Sequence, residues 1–196
     1  VIGLARSENA LRETFANLGA PHRYIVGDLT SDSLYEQLDK IPEHVDIIVN
    51  NAGGDPHSKP WMDQTTQDWR ETYEINVVAS ERLCRLFIPK MADRGWGRII
   101  NIASVYGVIG QNPVNTGKNA GAGAYTAAKH GLIGLTNYLA CQIGRTGVTI
   151  NSLSPGMITW MDTPDGEPEL WKQLAAQTPV GRNSQPEDYV TATVFL

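Results

Sequence analysis

The chain has 196 residues, which at about 150 residues per domain predicts one domain spanning 1–196 and argues against a separate substrate domain. Its 16 basic and 21 acidic residues give a net charge of −5, so no basic surface is on offer to a polyphosphate backbone and nucleic acid is not an expected partner. With 41% hydrophobic and 19% charged residues the chain has the material for a packed core.

No basic segment precedes an apolar run at the start, and no stretch approaches the roughly 20 apolar residues that span a bilayer. The expectation is a soluble cytoplasmic protein without a membrane partner. Cys84 and Cys141 lie in helical patterns and read as free thiols of an intracellular chain.

Short β-branched runs alternate with helical patterns. In chain order, strand 1–5 is followed by helix 8–18, strand 24–27, helix 31–40, strand 45–50 and a long helix 66–94. Strand 98–103, helix 124–144, strand 149–153 and helix 167–177 come next, and a last helix opens near Pro186. Thr65 with Asp68 can form a capping box, Gly95 supplies a stop, and Pro186 suits a first helical turn. The runs 45–49 and 98–102 are nearly continuous apolar stretches, as in central strands covered on both faces. Two loops, 110–123 and 157–166, are long enough to be functional. This alternation predicts α/β architecture, a doubly wound parallel sheet with helices on both faces. Such a sheet carries a glycine-rich phosphate turn after its first strand. None stands there, so by pattern the sequence starts at the second strand and stops before the last, and the native protein is expected to extend past both ends.

Four pieces carry chemistry. Tyr125 and Lys129 are four apart, neighbours on one helix face. A phenol with an ordinary pKa near 10 needs a cation beside it to act as a base at neutral pH, and this spacing offers one. Ser104 stands at the carboxyl end of strand 98–103, where open sheets place their ligand crevice and where a hydroxyl can polarise a carbonyl; it could equally satisfy its own turn. Asn76 sits inside a helix that asparagine does not favour, either for a functional reason or as a kink with its amide bonded internally. Asn51-Ala52-Gly53 leaves strand 45–50 through small residues that let a ring or ribose approach the backbone. The four histidines, His22, His44, His57 and His130, lack ligand spacing, so no metal site is expected.

In this order, Asn50-Asn51-Ala52-Gly53, Asn76, Ser104 and Tyr125-x-x-x-Lys129, with Ser154-Pro155-Gly156 after the last strand, resemble the short-chain dehydrogenase/reductase family over essentially the whole chain. The resemblance implies a Rossmann-type fold and hydride transfer between a nicotinamide cofactor and a carbonyl or secondary alcohol. Tyr125 would exchange the proton, Lys129 would lower its pKa and hold the ribose, Ser104 would orient the substrate, and Asn76 would hold a water leading from the lysine. Cofactor contacts would come from Asn51, Ala52, Gly53, Pro155, Gly156 and Ile158, with Asp28 and Leu29 at the adenine edge; Asp28 might instead serve the start of helix 31–40. Ala5-Arg6-Ser7 has no carboxylate at the end of the first strand, and Arg6 suits a phosphate, which favours NADP over NAD. Thr159 and Thr163 compete to hold the carboxamide, and Trp160, Met161 and Met157 would help wall the substrate; Trp171 would either join them or pack in the core, where aromatics at helical spacing more often lie. Ser104 and Tyr125 are 21 positions apart, several more than the family's usual dozen or so, which extends the loop over the pocket mouth. Apolar faces on helices 66–94 and 124–144 imply a homodimer or homotetramer. A non-catalytic Rossmann protein that senses nucleotide or binds a partner is the alternative, raised by the missing phosphate turn and opposed by Ser104, Tyr125 and Lys129. A sugar-nucleotide epimerase or dehydratase is disfavoured by Asn50-Asn51-Ala52-Gly53 and by the lack of a large C-terminal domain.

Overall fold

The computed structural model describes residues 1–18, 20–110, 122–158 and 169–196, in two compact units, residues 1–44 and 45–196. The first unit runs β1 (Ile2–Ala5), α1 (Glu8–Ala16), β2 (Arg23–Val26) and α2 (Asp32–Asp39). β1 and β2 pair in parallel, so α1 serves as the crossover that parallel strands require. Ser7 starts α1 by accepting a hydrogen bond from the Ala10 N–H at 3.3 Å. Leu34 and Leu38, four apart on α2, are buried together with Leu11 and Ile25.

The second unit contains β3 (Ile47–Asn50), α3 (Thr66–Tyr73), α4 (Ala79–Asp93), β4 (Gly97–Ile102), α5 (Gly123–Ile143), β5 (Val148–Leu153), α6 (Glu169–Gln177) and α7 (Val190–Phe195). Single 3-10 turns lie at Trp61–Asp63, Val105–Gly107 and Pro186–Tyr189. The sheet order is β3-β4-β5, all parallel. Its register sets Asn50 beside Asn101 and Ile102 beside Leu153, which brings three carboxyl strand ends to one edge.

The expected capping box forms, with Asp68 N–H on the Thr65 hydroxyl at 3.2 Å and Thr65 N–H on the Asp68 carboxylate at 2.6 Å. Helix 66–94 is continuous but changes winding in a π turn at Glu74–Val78 between α3 and α4. The expectation that both apolar strands are covered on both faces holds only for β4. On β3, Ile48 and Asn50 are buried while Ile47 and Val49 are 56% and 47% exposed, because the helices of this unit pack chiefly on β4 and β5. Loops 110–123 and 157–166 lie for the most part outside the described residues.

A polar chain crosses this core. Asn50 Nδ2 donates to Asn101 Oδ1, Asn101 Nδ2 to the Thr136 hydroxyl, and that hydroxyl to the Leu132 carbonyl, each at 2.8 Å. All four residues are buried, where breaking any of these bonds is costly; Asn50 Oδ1 is buried without a partner.

Candidate active site

Tyr125 and Lys129 open α5. No side chain of the helix's own N-cap, Ala122, satisfies its first N–H groups. Gln64 supplies the cap from a distant turn, its Oε1 accepting from the Ala124 N–H at 3.2 Å. Ser104 follows β4 in extended backbone and caps the next turn, its Oγ accepting from the Tyr106 N–H at 3.2 Å. The same hydroxyl faces the Tyr125 phenol closely enough to favour its charged form. The serine satisfies its own turn, as one of its two readings has it.

Burial pushes the Tyr125 phenol above its ordinary pKa, the nearby Ser104 hydroxyl pulls it down, and the Asp55 charge pushes it up again. The spacing predicts an ammonium beside the phenol, and the structure sets Lys129 and Tyr125 along the same cleft. Lys129 Nζ stands 5.5 Å from the Tyr125 ring centroid and donates to the Ile102 carbonyl at 2.8 Å. Lys129 is 4% exposed, and burial lowers its ammonium to about 8.

Asn76 is wholly buried in the π turn. Its Nδ2 donates to the Thr72 carbonyl at 2.8 Å and the Gly54 carbonyl at 2.7 Å, while Oδ1 accepts from the Gly54 N–H at 3.1 Å. Both amide donors are thus taken by protein, as in the internally bonded alternative, and the side chain staples the helix to the turn after β3. Gly53 lacks a side chain for the same reason: a Cβ there would lie 2.5 Å from Asn76 Oδ1 and 3.1 Å from Lys129 Nζ.

At the carboxyl ends of the sheet these residues surround a cleft of about 320 Å³. Asn51, Gly53, Ser104, Tyr125 and Lys129 line it together with Pro155, Gly156, Met157 and Ile158. Ala52 is exposed beside Gly53 and Asn76 stands behind it. Arg6, Asp28 and Leu29 belong to the first unit. There the Asp28 carboxylate accepts from the Thr30 N–H and hydroxyl at 2.9 and 2.8 Å. Those bonds, with Arg6 nearby, hold it below the usual carboxylate range. It closes the turn after β2 and leaves α2, whose N-cap Ser31 makes no side-chain cap bond. Leu29 is buried and Arg6 exposed.

Thr159, Trp160, Met161 and Thr163 lie outside the described residues. Trp171 is not among the cleft residues; its carbonyl accepts from Asn183 Nδ2 at 2.9 Å. The His130 ring bonds the Thr126 carbonyl one turn back. Among the described residues no group of three or more His, Cys, Asp or Glu could hold a metal ion, and no helix is long and apolar enough to cross a membrane. Sequence reasoning missed Gln64, Gly54 and the Ile102 carbonyl. A helix predicted to start at Ala124 with no capping residue before it was a signal for the first, and the doubled glycine for the second.

Proteins of known family match this chain in sequence and in fold. The model of the short chain dehydrogenase family matches residues 1–168. The 3-oxoacyl-(acyl-carrier-protein) reductase FabG of Vibrio cholerae is 33% identical over 200 residues, spanning all of this chain and 78% of the relative. The protein of the same name from Pseudomonas aeruginosa is 34% identical over 204 residues with the same coverage, 100% and 78%. A short chain dehydrogenase/reductase family oxidoreductase from Burkholderia thailandensis superposes with a TM-score of 0.84 at 31% identity, covering 100% of this chain and 74% of its own. A variant of actinorhodin polyketide ketoreductase, solved with NADPH, gives a TM-score of 0.83 at 28% identity, covering 100% and 79%. The chain belongs to the short-chain dehydrogenase family, an oxidoreductase on the Rossmann-type α/β fold.

Proposed function

We propose that the protein interconverts a carbonyl compound and its secondary alcohol with NADP(H), using Tyr125, Ser104 and Lys129. One observation carries the reading: Ser104, Tyr125 and Lys129 line one cleft at the carboxyl ends of the sheet. Ser104 would donate to the substrate oxygen, and Tyr125 would give its phenolic proton to that oxygen in reduction and take it back in oxidation. Lys129, held by the Ile102 carbonyl, would bring positive charge near the phenol and a donor to the ribose. Asn76 would keep the Gly53–Gly54 backbone in place beside it.

The cleft fits a flat cofactor ring, since no side chain could stand at Gly53 and bare backbone remains there. Asn51, Ala52 and Gly53 would meet the ribose side of the dinucleotide; Pro155, Gly156 and Ile158 would receive the nicotinamide. The bound cofactor supplies or accepts the hydride. Arg6, with Asp28 and Leu29, would face the adenosine end; the exposed Arg6 guanidinium supports NADP over NAD, as does the ketoreductase solved with NADPH. The family match running unbroken from 1 to 168 across both units supports one nucleotide-binding domain. The relatives' name makes 3-oxoacyl thioesters the first substrates to try. A homodimer or homotetramer in the cytoplasm completes the reading.

The test is NADPH oxidation against a panel of carbonyl compounds, for the wild type and for Tyr125→Phe. The variant should lose roughly 10²–10⁴-fold in turnover, the usual contribution of a positioned proton donor, with dinucleotide binding within about twofold. Full turnover by the variant would refute the assignment, and a wild type that binds nucleotide without turnover would point to a sensor.

A further inference from the structure

We propose that Tyr189 is a positioning residue for this cleft, its hydroxyl fixing the orientation of the Pro155–Gly156 peptide that forms part of the wall. The proposal rests on the function given above, because it assigns that wall to the dinucleotide.

A single peptide group is held on both edges. Its carbonyl, on Pro155, accepts from the Val105 N–H at 2.8 Å. Its N–H, on Gly156, donates to the Tyr189 hydroxyl at 2.9 Å. The unit is planar, so one orientation serves both bonds. Glycine on its far side makes rotation of such a peptide cheap, since backbone conformations closed to other residues are open there. The phenol opposes that rotation. Val105 follows Ser104, and both line the cleft with Tyr125, Pro155 and Gly156, so the pinned peptide borders the proposed reacting groups directly.

Tyr189 is itself well anchored. It ends the turn Pro186–Tyr189, and the preceding Asp188 takes both arms of the Arg182 guanidinium at 2.6 and 2.8 Å. Asp188 also accepts from the Gln185 N–H at 2.8 Å. The same stretch grips the wall a second time, through the Ser184 N–H on the Met157 carbonyl at 2.9 Å and a parallel bridge between Ile158 and Ser184. Two ties thus hold Gly156 to Ile158, and Tyr189 is the one made by a side chain.

Tyr189→Phe keeps the ring and removes the acceptor. In the purified protein, hydrogen exchange at the Gly156 amide should quicken about tenfold, and the KM for NADPH should rise three- to tenfold, with kcat at saturating cofactor within about twofold. Asp188→Asn, which loosens the turn without touching the cleft, should move both readouts the same way by less. Unchanged exchange at Gly156 in Tyr189→Phe would overturn the bond, and quickened exchange with KM and kcat both unmoved would leave a structural tie and overturn the positioning role. A wild type that neither binds nor turns over NADPH would sink the functional reading, and the role of Tyr189 with it.

Discussion

Burial holds the Lys129 ammonium at about 8 against an ordinary 10.5, a gap worth roughly 3 kcal/mol at about 1.4 kcal/mol per unit. The folded-state pKa is lowered, so the sign is opposite to that of an ion-paired lysine. Below about pH 8 both folded and unfolded chains carry the proton, and the folded state bears the whole penalty. Between about 8 and 10.5 the folded protein has released a proton that the unfolded chain still holds, so stability rises with pH across that window. Lys129→Met has no such titration. Groups common to both proteins cancel when their unfolding free energies are subtracted. The wild type should therefore gain about 3 kcal/mol on the variant between pH 7 and pH 10.5, measured by urea unfolding at intervals along that range. A difference that stays level would show that water reaches Nζ. A swing in the variant's favour would mean an anion pairs with it. In neither case could the lysine be the buried cation that the proposed function assigns to it.

Two substitutions probe the turn after β3. Asn76→Ala strips partners from the Gly54 N–H, the Gly54 carbonyl and the Thr72 carbonyl, and should destabilise by about 2–4 kcal/mol in chemical denaturation; a loss under about 0.5 kcal/mol would show that water replaces the staple freely. Gly53→Ala puts a methyl group 2.5 Å from Asn76 Oδ1 and 3.1 Å from Lys129 Nζ, so it should lower both the melting temperature and the turnover, and unaltered kinetics would show that the turn can back away from α5.

Much of this was legible because the signals were local. Alternation of β-branched and helical stretches located all five strands to within one or two residues, and Thr65 with Asp68 marked the start of α3. The four-residue spacing brought Tyr125 and Lys129 to one helix face, and the strand end gave the place of Ser104. What the sequence could not carry was direction and partnership across the fold. Nothing in Tyr125-x-x-x-Lys129 says that Nζ ends on the backbone carbonyl of Ile102, since a carbonyl has no letter in the sequence. The half-exposed Ile47 and Val49 read as core because β3 is as apolar as β4, and only the packing of the helices separates them. Asn101 was overlooked inside its apolar strand, although a polar residue there demands a buried partner.

That partner bears on how the tyrosine is aimed. α5 is fastened to β4 at two levels: Lys129 Nζ on the Ile102 carbonyl and, seven residues further on, the Thr136 hydroxyl under Asn101 Nδ2. Seven residues are close to two turns, so both fastenings lie on one face, with Ala128 and Leu132 packed at 0% and 1% exposure on the same side. Apolar packing alone lets a helix rock by several degrees, whereas two directional bonds define its rotation, and Tyr125 lies just one turn before the first. Thr136→Val keeps shape and volume but leaves Asn101 Nδ2 buried and unpaired, which should destabilise the protein by about 1–3 kcal/mol. If the rotation matters, turnover at a temperature where the variant is fully folded should also drop severalfold, and Thr136→Ser should restore both. Loss of stability with turnover untouched would mean that Lys129 fixes the helix unaided and that the polar chain serves the core alone.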